Sequence, residues 1–195
     1  MEKKKSEKYY DNTESDIPRK NVKYFVESIK KVPGRAIDIG CGAGNDSVYL
    51  LKNGWNVISI DKENVEERIS RRKSLKELKR FRFQKQDFEN MKLEETDLIV
   101  ANYSLSFCYK HKFDEMWKTI KKNICIDGYF VGNFFGINDS WNRAESNMTF
   151  LKKEQVLDLF DEFDVIKFNE IEKDGLTGLG NMKHWHIFNV IAKKK

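Results

Sequence analysis

The residues best placed to do chemistry lie in one short turn, Asp38-Ile39-Gly40-Cys41-Gly42-Ala43-Gly44, which follows an apolar run at 35–39 and precedes a helical pattern opening at Asn45. A glycine-rich turn between a strand and a helix is where backbone N–H groups meet a nucleotide-like ligand. Glycine allows the sharp turn and removes the Cβ that would hold the ligand away. Asp61 closes the next apolar run, twenty-one residues beyond Gly40, where a carboxylate can accept both hydroxyls of a ribose. The dinucleotide pattern G-x-G-x-x-G requires glycine at position 45, and that position is Asn45; the third glycine comes one residue early, at Gly44. Asp38 sits inside an otherwise apolar strand pattern, so its carboxylate must be paired or hydrogen-bonded to offset burial.

Two further pairs continue the series. Asp87-Phe88 follows the short pattern of Phe81 and Phe83, and Asn102-Tyr103 follows the apolar run 97–101. An acid and then G-x-G-x-G after the first strand, an acid after the second, an acid-aromatic pair after the third and a polar-aromatic step after the fourth resemble the class I S-adenosylmethionine-dependent methyltransferases. The resemblance implies an α/β, Rossmann-like doubly wound seven-stranded sheet, mostly parallel with an antiparallel last strand. It also implies S-adenosyl-L-methionine as cofactor, lying across the carboxyl ends of strands one to four. Carried onto this sequence, Gly40, Cys41 and Gly42 would line the methionine part, with Asp38 reaching its amino group and Asn102 beneath it. Asp61 would hold the ribose, and Asp87 with Phe88 the adenine. Lys62 completes this set at a place where the family usually carries an apolar residue against the adenine.

Methyl transfer from a sulfonium is an in-line displacement, so the protein has mainly to align the acceptor and exclude water. A general base is required only if the acceptor enters protonated. The acceptor belongs beyond the carboxyl ends of the fourth and fifth strands, where Tyr103, the loop carrying Asp139 and Trp141, and the start of an antiparallel last strand converge. In that strand His184 and His186 share one face and Trp185 takes the other. Tyr103, Asp139, Trp141, His184 and His186 thus form the candidate substrate rim, with no catalytic residue fixed among them. The tetrads N-P-P-Y and D-P-P-Y, which accompany methylation of base amino groups, are missing after the fourth strand. The stretches F-F-G-x-x-D-S-W and K-H-W-H are similar to small bacterial methyltransferases of the tellurite-resistance-like and general small-molecule group. That resemblance implies a small-molecule acceptor at O, N, S or a metalloid. An RNA methyltransferase and a non-catalytic adenosyl-cofactor-binding protein are the alternatives.

The elements that must position these residues follow from periodicity. Val22, Phe25, Val26 and Ile29 mark one helix face, Phe113, Met116, Trp117 and Ile120 a second, and Val156, Leu159, Phe160 and Phe163 a third. Apolar runs at 35–39, 55–60, 97–101 and 129–134 are strands separated by helix-sized connections, the pattern of a parallel sheet covered on both faces. Two closing strands, 165–171 and 185–191, enclose a loop with Gly175, Gly178 and Gly180. Residues 1–17 read as a flexible segment or, as the resemblance implies, a cofactor cover in which Tyr9 and Tyr10, with Arg19, would fold over the ligand, and 18–195 as a single domain.

At 195 residues the chain has room for one core and no separate substrate domain. Its net charge of +5 on a chain that is 34% charged speaks for solubility more than for polyanion binding. The densest basic stretch, 62–85, carries ten Lys/Arg against four Glu without an aromatic platform, which disfavours nucleic acid as a partner. The first residues are charged with no apolar run behind them, and no run approaches a membrane span. Cys41, Cys108 and Cys125 show no metal-ligand spacing. The expectation is therefore a cytoplasmic monomer or homodimer with no metal and no membrane partner.

Overall fold

A computed structural model describes residues 5–15 and 17–195. Seven strands, β1 (Arg35–Ile39), β2 (Asn56–Asp61), β3 (Phe81–Lys85), β4 (Thr96–Ala101), β5 (Ile124–Phe135), β6 (Phe163–Leu176) and β7 (Met182–Lys194), form one sheet in the order β3-β2-β1-β4-β5-β7-β6. The first five are parallel to one another, and β7 runs antiparallel to both β5 and β6. The implied architecture is the one found. Strand order reverses between β1 and β4, so the crevice at their carboxyl ends is the switch point where open α/β sheets bind ligands.

Seven helices accompany the sheet among the described residues: α1 (Lys5–Thr13), α2 (Lys20–Tyr24), α3 (Asn45–Lys52), α4 (Glu66–Ser70), α5 (Leu75–Leu78), α6 (Phe113–Asn123) and α7 (Lys153–Asp158). On one face, Ile37, Ile39, Ile99, Phe130 and Phe134 pack beneath α6 and α7. Trp117 of α6 lies edge-on to Phe130, Phe134 and Phe160 at 5.1–5.6 Å between centroids. On the other face, Ala36, Val57, Leu98 and Val131 meet Val22 and Phe25 from the amino-terminal side and Leu50 and Leu51 from α3. Strands buried on both faces explain the continuous apolar runs in the sequence.

Three expectations are corrected in detail. The helix through Val22 and Ile29 is α2 followed by one wide π turn, Phe25–Ile29, that stops at Lys30 in the left-handed region. The face of Val156, Leu159, Phe160 and Phe163 is not one helix. α7 ends at Asp158, and Phe163 opens β6, packing on Phe160 at 5.5 Å, because a turn into an edge strand delivers both rings to the same core. Gly175 belongs to β6 and pairs with Lys183. β6 is a long edge strand whose outward residues are largely charged, a surface that discourages pairing with another sheet.

Candidate active site

The turn after β1 is built as the sequence demands. Gly40 and Gly42 take φ of 66° and 55°, left-handed values that side chains other than glycine rarely adopt. The N–H groups of Gly40 and Cys41 both donate to the Ile60 carbonyl at 2.8 and 3.0 Å, which ties the turn to the end of β2. There Asp61 accepts the Gly42 N–H at 2.9 Å, the Glu63 N–H at 3.1 Å and the Tyr10 hydroxyl at 3.1 Å. Burial, then the Asp61 charge, hold the Tyr10 phenol well above its usual range.

Behind the turn lie two more buried carboxylates. Asp38 accepts from the Ser47 hydroxyl at 2.5 Å, and Ser47 in turn meets Ser59 at 2.6 Å. Burial, followed by the charge of Asp46, pushes the Asp38 carboxyl up to about 8. Asp46, in the first turn of α3, is also raised by burial, against which the Arg19 N–H (2.7 Å) and the Asn102 amide (2.8 Å) work. Asn102 accepts from Asn21 at 2.6 Å and from Asn133 at 3.3 Å, and Asn133 accepts the Tyr103 N–H at 2.8 Å. The result is a polar floor of carboxylates and amides running from β1 to β5.

This floor suits a cationic ligand, because carboxylates raised by burial and by one another are relieved when a positive charge arrives. The Ser104 hydroxyl points the same way. It is buried without a hydrogen-bond partner, and a Cβ at Gly40 would overlap its side chain, so an unsatisfied polar group faces the turn. A ligand carrying an ammonium and a sulfonium matches both observations.

The remaining expected residues are dispersed. Lys62 and Asp87 are exposed, and Asp87 accepts the Asn90 N–H at 3.2 Å, capping a turn. Phe88 packs on the core beneath α6 and walls a surface cleft with Met91 and Met116. Cys41 is half-buried, its thiol pushed up by burial. At the rim, Tyr103 contacts Trp185 at 5.7 Å and Trp141 contacts Trp185 at 5.6 Å, while Asp139 is buried in an ion pair with Lys183. His184 and His186 do not join this group: they lie on the opposite face of β7. His184 bonds Asp174 at 2.8 Å, which raises its ring with help from Glu172, and His186 bonds Glu170 at 3.0 Å.

Glu170, Glu172 and His186 do bring one potential metal-ligand atom each within 4.8 Å of the others. His186 Nδ1, however, accepts the Asn138 N–H at 3.1 Å, so the neutral ring keeps its proton on Nε2 and gives it to Glu170. A ligating imidazole has the reverse arrangement, with its free nitrogen donating. The cluster is a hydrogen-bonded chain.

Sequence reasoning passed over Asp46, Asn21 and Asn133, and it placed Ser104 and Lys183 in rim stretches without giving either a role. Asp46 is masked by its place in a first helical turn, where acids are ordinary. Asn133 carried a signal, being a lone amide in the apolar run of β5.

The sequence matches the tellurite resistance protein TehB family over residues 2–176. The chain belongs to that family. It is an S-adenosylmethionine-dependent methyltransferase. Among solved structures, TehB from Haemophilus influenzae superposes with a TM-score of 0.68 at 20% identity, over 90% of this chain and 68% of that one. The 1,6-didemethyltoxoflavin-N1-methyltransferase of Burkholderia thailandensis, with bound 1,6-didemethyltoxoflavin and S-adenosylhomocysteine, gives 0.72 at 18% identity over 97% and 84%. A local match of 29 residues, 55% identical, links the chain to the ribosomal RNA small subunit methyltransferase C of Alcanivorax borkumensis. It spans 15% of this chain and 9% of that relative. Among the described residues, no helix of this TehB-family chain is long and apolar enough to cross a membrane.

Proposed function

We propose that this TehB-family enzyme methylates a small-molecule acceptor seated at the rim of Tyr103, Trp141 and Trp185. The observation that carries the reading is adjacency: the buried acidic floor ends at Asn102, and the aromatic rim begins at the next residue, Tyr103. Gly40, Cys41 and Gly42 line the methionine part of the cofactor, Asp38 takes its ammonium directly or through water, and Asn102 lies beneath. Asp61 would accept the ribose hydroxyls, and Asp87, Phe88 and Lys62 would border the adenine. The bound cofactor supplies a methyl group on a sulfonium, ready for in-line displacement. The chain's own work is to orient the acceptor and exclude water.

The basic stretch supports a small acceptor over RNA. Arg68 pairs with Asp11 and Glu14, Arg71 with Glu14, and Arg82 with Glu94. Arg72 donates to the Ser15 and Ala43 carbonyls, and Arg80 to those of Leu51 and Trp55. Cations engaged in holding the amino-terminal helix and the strand ends are not a free phosphate track. The Burkholderia enzyme, whose acceptor is a small ring compound, points the same way.

The test is calorimetric titration with S-adenosylmethionine and, as control, NAD, followed by methyl-transfer screens of a metabolite pool against tRNA and ribosomal RNA fragments. Cofactor binding with transfer to a metabolite is expected. Binding of NAD alone overturns the site assignment, and methylation confined to RNA with steeply salt-dependent binding overturns the acceptor.

A further inference from the structure

The main aromatic core lies under α6, yet a second aromatic group stands apart from it at the carboxyl rim. Phe135, buried at the end of β5, is surrounded by Tyr103, Phe107, Trp141 and Trp185, with neighbouring centroids 5.6–6.2 Å apart. Four separate chain segments supply these rings. Phe107 is 48% exposed, and Tyr103, Trp141 and Trp185 are half-buried. A contiguous exposed aromatic surface at a sheet's ligand-binding edge marks a binding site more than a packing accident.

Two features show that the rings are held for a purpose. Tyr103 adopts a φ of 53°, a left-handed conformation that is costly for a bulky residue; its N–H is held by Asn133, and its ring meets Trp185 edge-on. Beneath the indoles, the buried Lys183 ammonium pairs with Asp139 and lies 4.1 and 4.3 Å from the ring centroids of Trp141 and Trp185. Asp139 also accepts the N–H groups of Trp141 (3.0 Å) and His186 (3.4 Å). One ion pair therefore fixes both tryptophans. It also consumes that ammonium, so Lys183 is not free to meet a compact oxyanion. A second cation near the rim, Arg19, is engaged as well, with its guanidinium carbon 4.6 Å from the Tyr103 ring centroid.

We propose that this aromatic rim is the acceptor site and that it takes a flat aromatic or heteroaromatic ring, stacked against Trp141, Trp185 and Phe107 with its reactive atom toward Tyr103. The proposal rests on the methyl-transfer reading above and deepens it by naming the acceptor class. Both histidines of β7 point away and are engaged by acids. A nucleophile that carries a free lone pair near neutral pH, such as a ring nitrogen or an acidic ring hydroxyl, suits a rim that neither of these bases faces.

The test uses the full chain, with and without saturating S-adenosylhomocysteine. Three flat probes, quinolin-8-ol, catechol and lumazine, and two controls, cyclohexanol and selenite, are titrated by calorimetry and by saturation-transfer NMR. At least one flat probe is expected to bind saturably and the controls not to. Trp141→Ala and Phe107→Ala should each weaken ring binding about tenfold, the scale of one lost stacking contact. Trp141→Phe should restore most of it, with S-adenosylhomocysteine affinity unchanged throughout. The proposal is overturned if no flat probe binds, if cyclohexanol or selenite binds as well as the rings, or if both alanine variants bind like wild type. The S-adenosylhomocysteine titration separately reports the cofactor site, so loss of that binding with ring binding intact would strike the methyl-transfer reading alone.

Discussion

The two halves of the carboxyl edge solve opposite problems. From β2 to β4 the edge is polar and buried: Asp38, Asp46 and Asp61 are each 7% exposed or less, and each is held by hydrogen bonds from neighbouring backbone or side chains. From β4 to β7 the edge is aromatic, and its buried charges Lys183 and Asp139 cancel each other. Buried carboxylates are costly unless satisfied, so the first half declares the sign of its ligand. Rings satisfy one another by contact, so the second half declares only a shape.

The largest effect that would break this division is Gly42→Val. The added branch must be carried at a φ of 55°, where the Cβ would already stand 3.9 Å from Tyr9 and Tyr10. Cofactor binding should fall below detection by calorimetry while the protein still melts cooperatively; a variant that bound normally would move the ligand off the turn. Asp61→Ala comes next. Losing hydrogen bonds to a charged acceptor costs about 1.5–3 kcal/mol, so affinity for S-adenosylhomocysteine should drop about tenfold to a hundredfold. Flat-ring binding at Trp141 should be untouched. If both ligands weakened together, the two halves would be one site and the comparison would fail.

A third prediction turns on the buried charge itself. The Asp38 carboxyl is raised to about 8, so the folded chain holds a proton there that the unfolded chain has lost. Stability from this group is complete below the ordinary carboxylate range and is lost as pH rises toward 8. Asp38→Asn keeps an acceptor for Ser47 without the charge. Its melting temperature should match wild type near pH 4 and exceed it by several degrees above pH 8, the scale of one to two kcal/mol in a domain of this size, roughly 2–4 °C each. A constant difference across that range would show that Asp38 stays ionised in the fold.

How much of this was legible in the sequence follows from the same contrast. The turn, Asp38 and Asp61 could be read because closely spaced glycines after a strand, and acids inside apolar runs, seldom occur unless a tight turn or a buried polar site requires them. The mostly parallel seven-stranded sheet followed from the family resemblance, and its strand order only from the structure. The amide network could not, because Asn21, Asn102 and Asn133 come from three distant segments, and a hydrogen bond leaves no spacing. The aromatic rim was visible only in part: Tyr103 follows β4, Trp141 sits in the loop after β5 and Trp185 lies near the start of β7, but nothing local tells a rim ring from a core ring. Lys183 was hidden for a related reason, since a lysine at a strand start reads as solvated until Asp139, forty-four residues away, is brought beneath the same indoles. The edge-strand error at Phe163 has the same origin, because helical spacing and a helix-turn-strand path can bury the same two rings.

The smallest predicted effect concerns the contact that joins the amino-terminal helix to the polar half. Tyr10 donates to Asp61 at 3.1 Å, the carboxylate proposed for the ribose, and α1 is held across the site by Arg68 and Arg71 on Asp11 and Glu14 and by Asn12 on the Gly178 carbonyl. If the ribose and the phenol compete, removing the hydroxyl leaves Asp61 short of a donor in the free protein only. Tyr10→Phe should then bind S-adenosylhomocysteine a fewfold more tightly, within the range of about 1 kcal/mol that one hydrogen bond contributes. Weaker binding would mean the opposite geometry, in which the phenol stays on Asp61 beside the ribose and α1 is part of the bound site. Either sign is read in one titration series, and the direction tells whether the helix is displaced by the cofactor or clasps it.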